Sequence, residues 1–415
     1  MRTDAATARG VARAGLAPGP EPGLGPGRLL LIIVTTCLLL ANLYYPQPVL
    51  RQVAGALHLP ESAAGAVITA GQLGYIAGLL LVAPLGDMLE NRRLCAAMAL
   101  AAAISAVAGA CAPTAPLFLG SIFLMGVFAT ATQVLVVFAS ALAGPGRSGA
   151  VLGILACGLF LGIALARPVA SLVTGVAGWR WVYAGSGAAL AVTAASLWRC
   201  LPALAPPQTG AGYLAILRSM AQLTRSPRLL RRTAVSAGAF FSFSMFWSSL
   251  PLVLAGRLPD TGGVTAFALA GLVTPTCMLF VGRLLDRGRG QALLLWALGC
   301  AALAWGIVFL EAAGLGVFIL AALLLDPASC AVTVSIQQRI LADAAAGVRG
   351  RLNSLNISLN FLGGAAGAAL GPWLLARYGL APGALGGASL LLLLLCLAAT
   401  AGREVRTPSP PRQRG

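Results

Sequence analysis

Asp326 stands about twelve residues into an apolar stretch that opens near residue 315. Ser329, Cys330, Thr333 and Gln337 follow it. At about 100° per helical residue, all four fall within about 60° of Asp326, on one stripe. A carboxylate is costly to keep charged inside lipid, which suits a group that takes up and returns a proton. A permanently hydrogen-bonded structural Asp fits the same position. Pro327 follows directly and is expected to loosen the helix there. Arg167 is the second charge within an apolar stretch, in its outer half and just before Pro168. It could pair with Asp326, attract an anionic substrate, or snorkel to the headgroups.

Uncharged polar residues extend the set. In the first apolar stretch Asn42 and Tyr45 share a helical face, as do Tyr44 and Gln47. Gln72, Tyr75 and Gln133 lie in the second and fourth stretches, and Ser242, Ser244, Trp247 and Ser248 in the seventh. Aromatics beside amides suit a cavity for solutes of mixed polarity. Asn42, Tyr45, Gln47, Gln72, Gln133, Trp247, Thr333 and Gln337 are therefore the candidate substrate cavity, with Asp326 for proton coupling. An interfacial aromatic belt, or hydrogen bonding between helices, would explain the same residues. Gly364, Gly367 and Gly371 share a face with Asn353, Asn356 and Asn360, and Gly71, Gly74 and Gly78 repeat the pattern in the second stretch. Both stripes are expected to be sliding contacts between two moving halves, with static helix packing as the alternative.

The elements that hold these residues follow from charge spacing. The chain has 415 residues, is 59% hydrophobic and only 9% charged. Charges separate about twelve apolar stretches, most about 19 to 27 residues long, and a bilayer core about 30 Å thick needs about 20 helical residues. Backbone groups must pair internally in lipid, so each stretch reads as a helix. The predicted spans are 29–50, 62–85, 94–112, 117–142, 149–175 and 180–201, then 233–255, 264–282, 290–310, 315–339, 352–375 and 382–401. Pro113 and Pro116 mark the turn inside the uncharged stretch 94–146. This is an all-α integral membrane protein of twelve transmembrane helices in two groups of six, residues 29–201 and 233–401.

Residues 1–28 are expected to be a disordered cytoplasmic N-terminus without a cleavable signal peptide, and 402–415 a cytoplasmic tail. Residues 202–232 form a basic linker whose apolar spacing (Leu214, Leu217, Met220) suits an amphipathic helix on the inner membrane face, or a plain unstructured link. All 28 basic residues are Arg. With both termini inside, 23 Arg lie on the inner side and only Arg51, Arg180, Arg257 and Arg377 outside. That asymmetry predicts a bacterial cytoplasmic membrane with both termini in the cytoplasm.

Composition also excludes. Without Lys there is no Gly-x-x-x-x-Gly-Lys phosphate loop, so this chain alone does not drive transport with ATP. His58 is the only His, which leaves no His-based metal centre. No cofactor is expected. The nine Cys read as small buried hydrophobes.

A turn recurs. Ala83 to Arg93 joins the second and third spans, and Gly282 to Arg289 joins the eighth and ninth. Asp87 and Asp286 are 199 residues apart, about half the chain, each at an inner helix end and followed by Arg. Such a carboxylate can latch a neighbouring helix N-terminus or an Arg and then release it; simple topogenic charge is the plainer reading. Asp87, Arg92, Arg93, Gly282, Asp286 and Arg287 are the candidate gating turns.

On these turns the chain resembles the major facilitator superfamily over nearly its full length. That family's loop runs Gly-x-Leu-x-Asp-Arg-x-Gly-Arg-Arg. The second turn matches at Gly282, Leu284, Asp286 and Arg287; the first keeps Leu85, Asp87 and Arg92 but has Ala83, Met88 and Glu90 where Gly, Arg and Gly are usual. Further segments are similar to a bacterial drug–proton antiporter subgroup: Asn42 to Pro48, Gly162 to Arg167, Gly178 to Tyr183, Arg349 to Asn353 and Gly363 to Gly367. Leu355-Asn356 stands where that subgroup usually has Tyr-Met. The resemblance implies a 6+6 bundle, a central cavity and alternating access, and for Arg167 a structural or gating role as much as a binding one.

The expected function is secondary transport, with small organic molecules exported in exchange for protons by a monomer in the lipid bilayer. A symporter or uniporter importing a metabolite is the nearest alternative. A membrane enzyme would need a cluster of catalytic residues at one face, and a sensor a sizeable soluble domain; neither pattern is present, and no nucleic acid partner is expected.

Overall fold

Proline decides several helix joints. In the computed structural model, which describes residues 24–143, 148–203, 212–255, 273–309, 315–344 and 348–404, α1 (Pro26–Tyr44) opens on a proline whose missing N–H costs nothing in a first turn. Tyr45 keeps helical angles, and α2 (Pro46–Ala56) continues the same span, thinned of hydrogen bonds by Pro46 and Pro48. The second span is not the uniform helix expected for 62–85. It is α3 (Ala66–Ala77), a π-helical turn (Gly78–Val82) and a 3₁₀ turn (Ala83–Asp87). Gly78 backs onto a neighbouring helix so closely that a Cβ there would meet the Val127 carbonyl oxygen at 2.2 Å. Pro84 then removes a donor.

The rest of the first half is α4 (Asn91–Cys111), α5 (Ala115–Ala129), α6 (Ala131–Leu142), α7 (Ser148–Ala177) and α8 (Trp179–Cys200). α5 and α6 are one span broken at Thr130, whose hydroxyl donates back to the Val127 carbonyl at 2.6 Å. The linker carries α9 (Tyr213–Leu223), with Ile216 and Met220 buried and Leu214 exposed. The second half is α10 (Pro227–Ala255), α11 (Val273–Asp286), α12 (Gly290–Phe309), α13 (Leu315–Ala342), α14 (Arg349–Tyr378) and α15 (Leu380–Glu404). Residues 1–23, the opening of the eighth span (264–272), Arg147, Arg257 and the tail beyond 404 lie outside the described residues.

Ten described helical segments are long and apolar enough to cross a membrane; α8 and α11 take the sixth and eighth places in the chain. Large apolar side chains such as Val176 (92%) and Trp296 (68%) face outward, as lipid rather than water would require. The described residues are all-α, and their helices occupy twelve spans in two bundles of six. In the first bundle α4 packs along α8, α3 on α5 and α1 on α7; in the second α10 packs along α14, and α12 on α13 and α15. The bundles meet where α3 crosses α14, α2 meets α10, and α7 meets α11. A pseudo-repeat is visible in the backbone itself. Gly178 (φ 93) enters α8 and Gly379 (φ 79) enters α15, matching places in the two halves that few other residues could fill.

The glycine stripes, expected as sliding contacts between the halves, lie mostly against helices of their own half, with Gly364 also facing Gln72 of the other half. Cβ atoms on Gly363 and Gly367 would meet the Ala237 and Phe241 carbonyl oxygens at 2.3 and 2.1 Å, so the seam is α14 against α10 of its own half. Gly74 and Gly78 close in the same way on Phe123 and Val127 of the first half. Small residues show close approach but not which neighbour approaches. Between the halves it is Gly65 that closes on α14, where its Cβ would meet the Ala368 carbonyl oxygen at 2.0 Å.

Candidate functional site

Four helices bring one side chain each to the middle of the molecule: Gln47 from α2, Arg167 from α7, Trp247 from α10 and Asp326 from α13. All four are almost fully buried, at 0%, 1%, 2% and 4% exposure. The helix α13 runs on through Pro327, so the expected loosening does not break it, and α7 likewise runs on through Pro168. Each ion is thus followed by a proline that removes one helical hydrogen bond.

Arg167 Nη1 donates to Asp326 Oδ2 at 2.6 Å, joining the two bundles. Its Nε donates to Gln47 Oε1 at 2.8 Å. Trp247 Nε1 donates to the other carboxylate oxygen, Asp326 Oδ1, at 2.5 Å. The guanidinium carbon lies 5.3 Å from the Phe243 ring centre and 5.9 Å from that of Tyr44, so aromatic faces supplement the ion pair. Of the three fates open to Arg167, the structure shows pairing with Asp326. Charge-assisted bonds of this geometry are short and strong, and each ion compensates the other's removal from water. Three polar atoms here have no partner among the described residues: Arg167 Nη2, Gln47 Nε2 and Ser329 Oγ.

The other candidates are spread more widely. Asn42 donates to the Leu38 carbonyl at 2.7 Å and accepts from Ser186 at 3.0 Å, within the first half. Tyr45 is buried near Tyr183 and Ser186 of α8, away from the ion pair. Gln72 spans the halves, its Nε2 donating to Ser244 Oγ at 3.1 Å. Gln133 donates to the Tyr75 hydroxyl at 3.2 Å, and the Tyr75 ring lies 4.6 Å from Phe361 of the second half. Thr333 donates to the Ser329 carbonyl at 2.9 Å, and Gln337 to Asn353 Oδ1 at 2.5 Å; both are half-buried. The stripe that begins at Asp326 therefore fans out toward α7, its own backbone and α14.

In the first gating turn the Asp87 side chain lies outside the described part. Arg92 and Arg93 are both held by Glu90, at 3.0 and 2.7 Å, and face Trp198 of α8. Glu90 entered the sequence comparison only as a departure from the family pattern. In the second turn Asp286 and Arg287 are exposed, and Asp286 makes no ion pair among the described residues. Gly288 (φ 72) ends α11, with its N–H bonded to the Leu285 carbonyl and that of Arg289 to Leu284, a Schellman cap. Gly282 has open space around it. Sequence reasoning missed Trp305 of α12, which donates to Ser242 at 2.6 Å and stacks edge-on against Phe246 beside Trp247. A Trp in mid-span, needing a partner for its N–H, was the available signal.

Two bundles of helices able to cross a membrane, meeting at a buried ion pair, define an integral membrane protein. The chain belongs to the Major Facilitator Superfamily, whose family profile matches residues 31–330, and that membership makes it a transporter rather than an enzyme. It is 33% identical over 382 residues, 91% of its own length and 96% of the relative's, to YgaY of Escherichia coli (strain K12), named an uncharacterized transporter. A chloramphenicol resistance protein of Pseudomonas aeruginosa is 27% identical over 238 residues, 54% of each chain. The fold superposes on a mutant of the nucleoside transporter NupG with a TM-score of 0.72, at 13% identity, covering 90% of this chain and 99% of that one.

Proposed function

We propose that this transporter exports small organic molecules in exchange for protons, by alternating access. It acts as a monomer in a bacterial cytoplasmic membrane, with both termini inside and no bound cofactor. The observation that carries this reading is the Arg167–Asp326 pair, 2.6 Å across the junction of the halves. Arg keeps its charge, so a proton on Asp326 leaves Arg167 without its counter-ion and weakens the bond between the bundles. Proton occupancy and the freedom of the halves to rock are thereby linked. Substrate enters beside the pair, where Gln47 and Trp247 are the candidate cavity residues bonded to it, and the turns at Asp87 and Asp286 gate the inner end. The 23-to-4 division of Arg supports the orientation. The likeness to a chloramphenicol resistance protein supports export over import.

The test is flux of a panel of labelled organic solutes in proteoliposomes with an imposed pH gradient of either sign. Antiport predicts solute movement against the proton flow, and loss of that drive in Asp326→Asn. Solute moving together with protons would assign import instead. Full gradient-driven flux in Asp326→Asn would remove Asp326 from the coupling.

A further inference from the structure

Two of the three unpartnered atoms at the ion pair share one chemical character. Arg167 Nη2 and Gln47 Nε2 are donors only, and both lie on side chains at most 1% exposed. They belong to groups already bonded to each other through Arg167 Nε and Gln47 Oε1 at 2.8 Å, so they form neighbouring donors. The Ser329 hydroxyl, one helical turn along from Asp326, can add a third. The acceptors around them are occupied. Asp326 Oδ1 and Oδ2 receive Trp247 and Arg167, and Gln47 Oε1 receives Arg167. Gln72 Oε1 is a bare acceptor, but it faces Gly364 of α14 at the seam between the halves. Buried donors left without an acceptor are costly, and a ligand that supplies acceptors recovers that cost.

Charge narrows the choice. Arg167 and Asp326 already neutralise each other, so an uncharged ligand leaves the buried site neutral. An anion would place a second negative charge beside Asp326 in low dielectric. A cation finds Arg167 in its way and each carboxylate oxygen already accepting one hydrogen bond.

We infer that the substrates are uncharged molecules presenting two neighbouring hydrogen-bond acceptors, as in nitro, sulfonyl or carboxamide groups, and no fixed positive charge. The inference rests on the reading of this pair as the substrate site. It also fits exchange with protons. The intact Arg167–Asp326 bond holds the donor pair in place, and a proton on Asp326 dismantles it, so substrate and proton exclude one another.

The test is direct binding to the full-length protein in lipid nanodiscs. The probes are chloramphenicol and a set of uncharged nitro- and sulfonyl-aromatics, against tetraphenylphosphonium, a cation without acceptors. At least one uncharged probe is expected to bind saturably and at least tenfold more tightly than the cation. In Gln47→Met, which removes the Nε2 donor without adding charge, that binding is expected to weaken at least tenfold in protein that still elutes as a single folded species. Tighter binding of the cation, no saturable binding by any uncharged probe, or full affinity in folded Gln47→Met would overturn the inference. Gradient-driven flux in Asp326→Asn fails for a different reason, so the substrate class can stand while the coupling assignment falls, and the reverse.

Discussion

The guanidinium carbon of Arg167 stands 3.5 Å from the ring centre of Trp247, whose own N–H donates to Asp326. One side chain thus supports both members of the ion pair, the cation by its ring and the anion by its edge. Trp247→Phe keeps a ring under Arg167 but leaves Asp326 Oδ1 bare. The expected loss is about 1–3 kcal/mol of stability, read as a lowered thermal midpoint in detergent. A midpoint equal to wild type would mean that the indole N–H contributes nothing to holding Asp326.

Asp326→Asn keeps shape, and its single amide oxygen can still accept from Arg167 or Trp247, so the protein is expected to insert and fold. Proton-driven flux is expected to fall at least tenfold. Asp326→Leu differs, because it leaves the buried Arg with no acceptor there at all; breaking a buried pair from one side costs about 3–5 kcal/mol. Size-exclusion yield of the two variants separates the cases, with Asn near wild type and Leu much reduced.

Glycine positions give a paired prediction. A Cβ on Gly367 would meet the Phe241 carbonyl oxygen at 2.1 Å, whereas one on Gly282 meets nothing within 4 Å. Gly367→Val should collapse folded yield, and Gly282→Ala should stay within about 0.5 kcal/mol of wild type, as surface substitutions usually do. Equal yields for the two would contradict the α10–α14 seam.

Glu90 holds Arg92 and Arg93 at the inner end. Because the three side chains are partly exposed, Glu90→Gln should cost no more than about 1 kcal/mol. Turnover is the more sensitive readout, and it is expected to change several-fold as the two Arg are released. Asn substitution at Asp87 or Asp286 is expected to slow exchange between conformations. Unchanged turnover in all three variants would reduce these turns to markers of orientation.

The spans were legible because lipid forbids charge and unpaired backbone, so interruptions in an apolar chain mark its loops. Asp326 and Arg167 were legible for the same reason, as charges where none should be. Their contact was not, because helical phase places a residue on a face but does not select the facing helix. The glycine stripes show the same limit: their spacing signalled close approach, yet the α14 stripe presses mostly on α10 of its own half, with Gly364 also facing Gln72 of the other. The π-helical turn at Gly78–Val82 had no sequence signature of its own, since it depends on how Gly78 meets α5. Glu90 was passed over because comparison with a pattern weighs what is missing more readily than what has replaced it.

Arg167 and Asp326 each precede a proline, in helices from opposite bundles. Pro168 leaves the Ala164 carbonyl, and Pro327 the Leu323 carbonyl, without the usual backbone donor. Each bundle thus has a helix lacking one backbone hydrogen bond next to the ion that ties it to the other bundle. A carbonyl freed in this way should vibrate at higher frequency than its neighbours, so carbon-13 labels at Ala164 and Leu323 would give an infrared gauge of bending in each bundle.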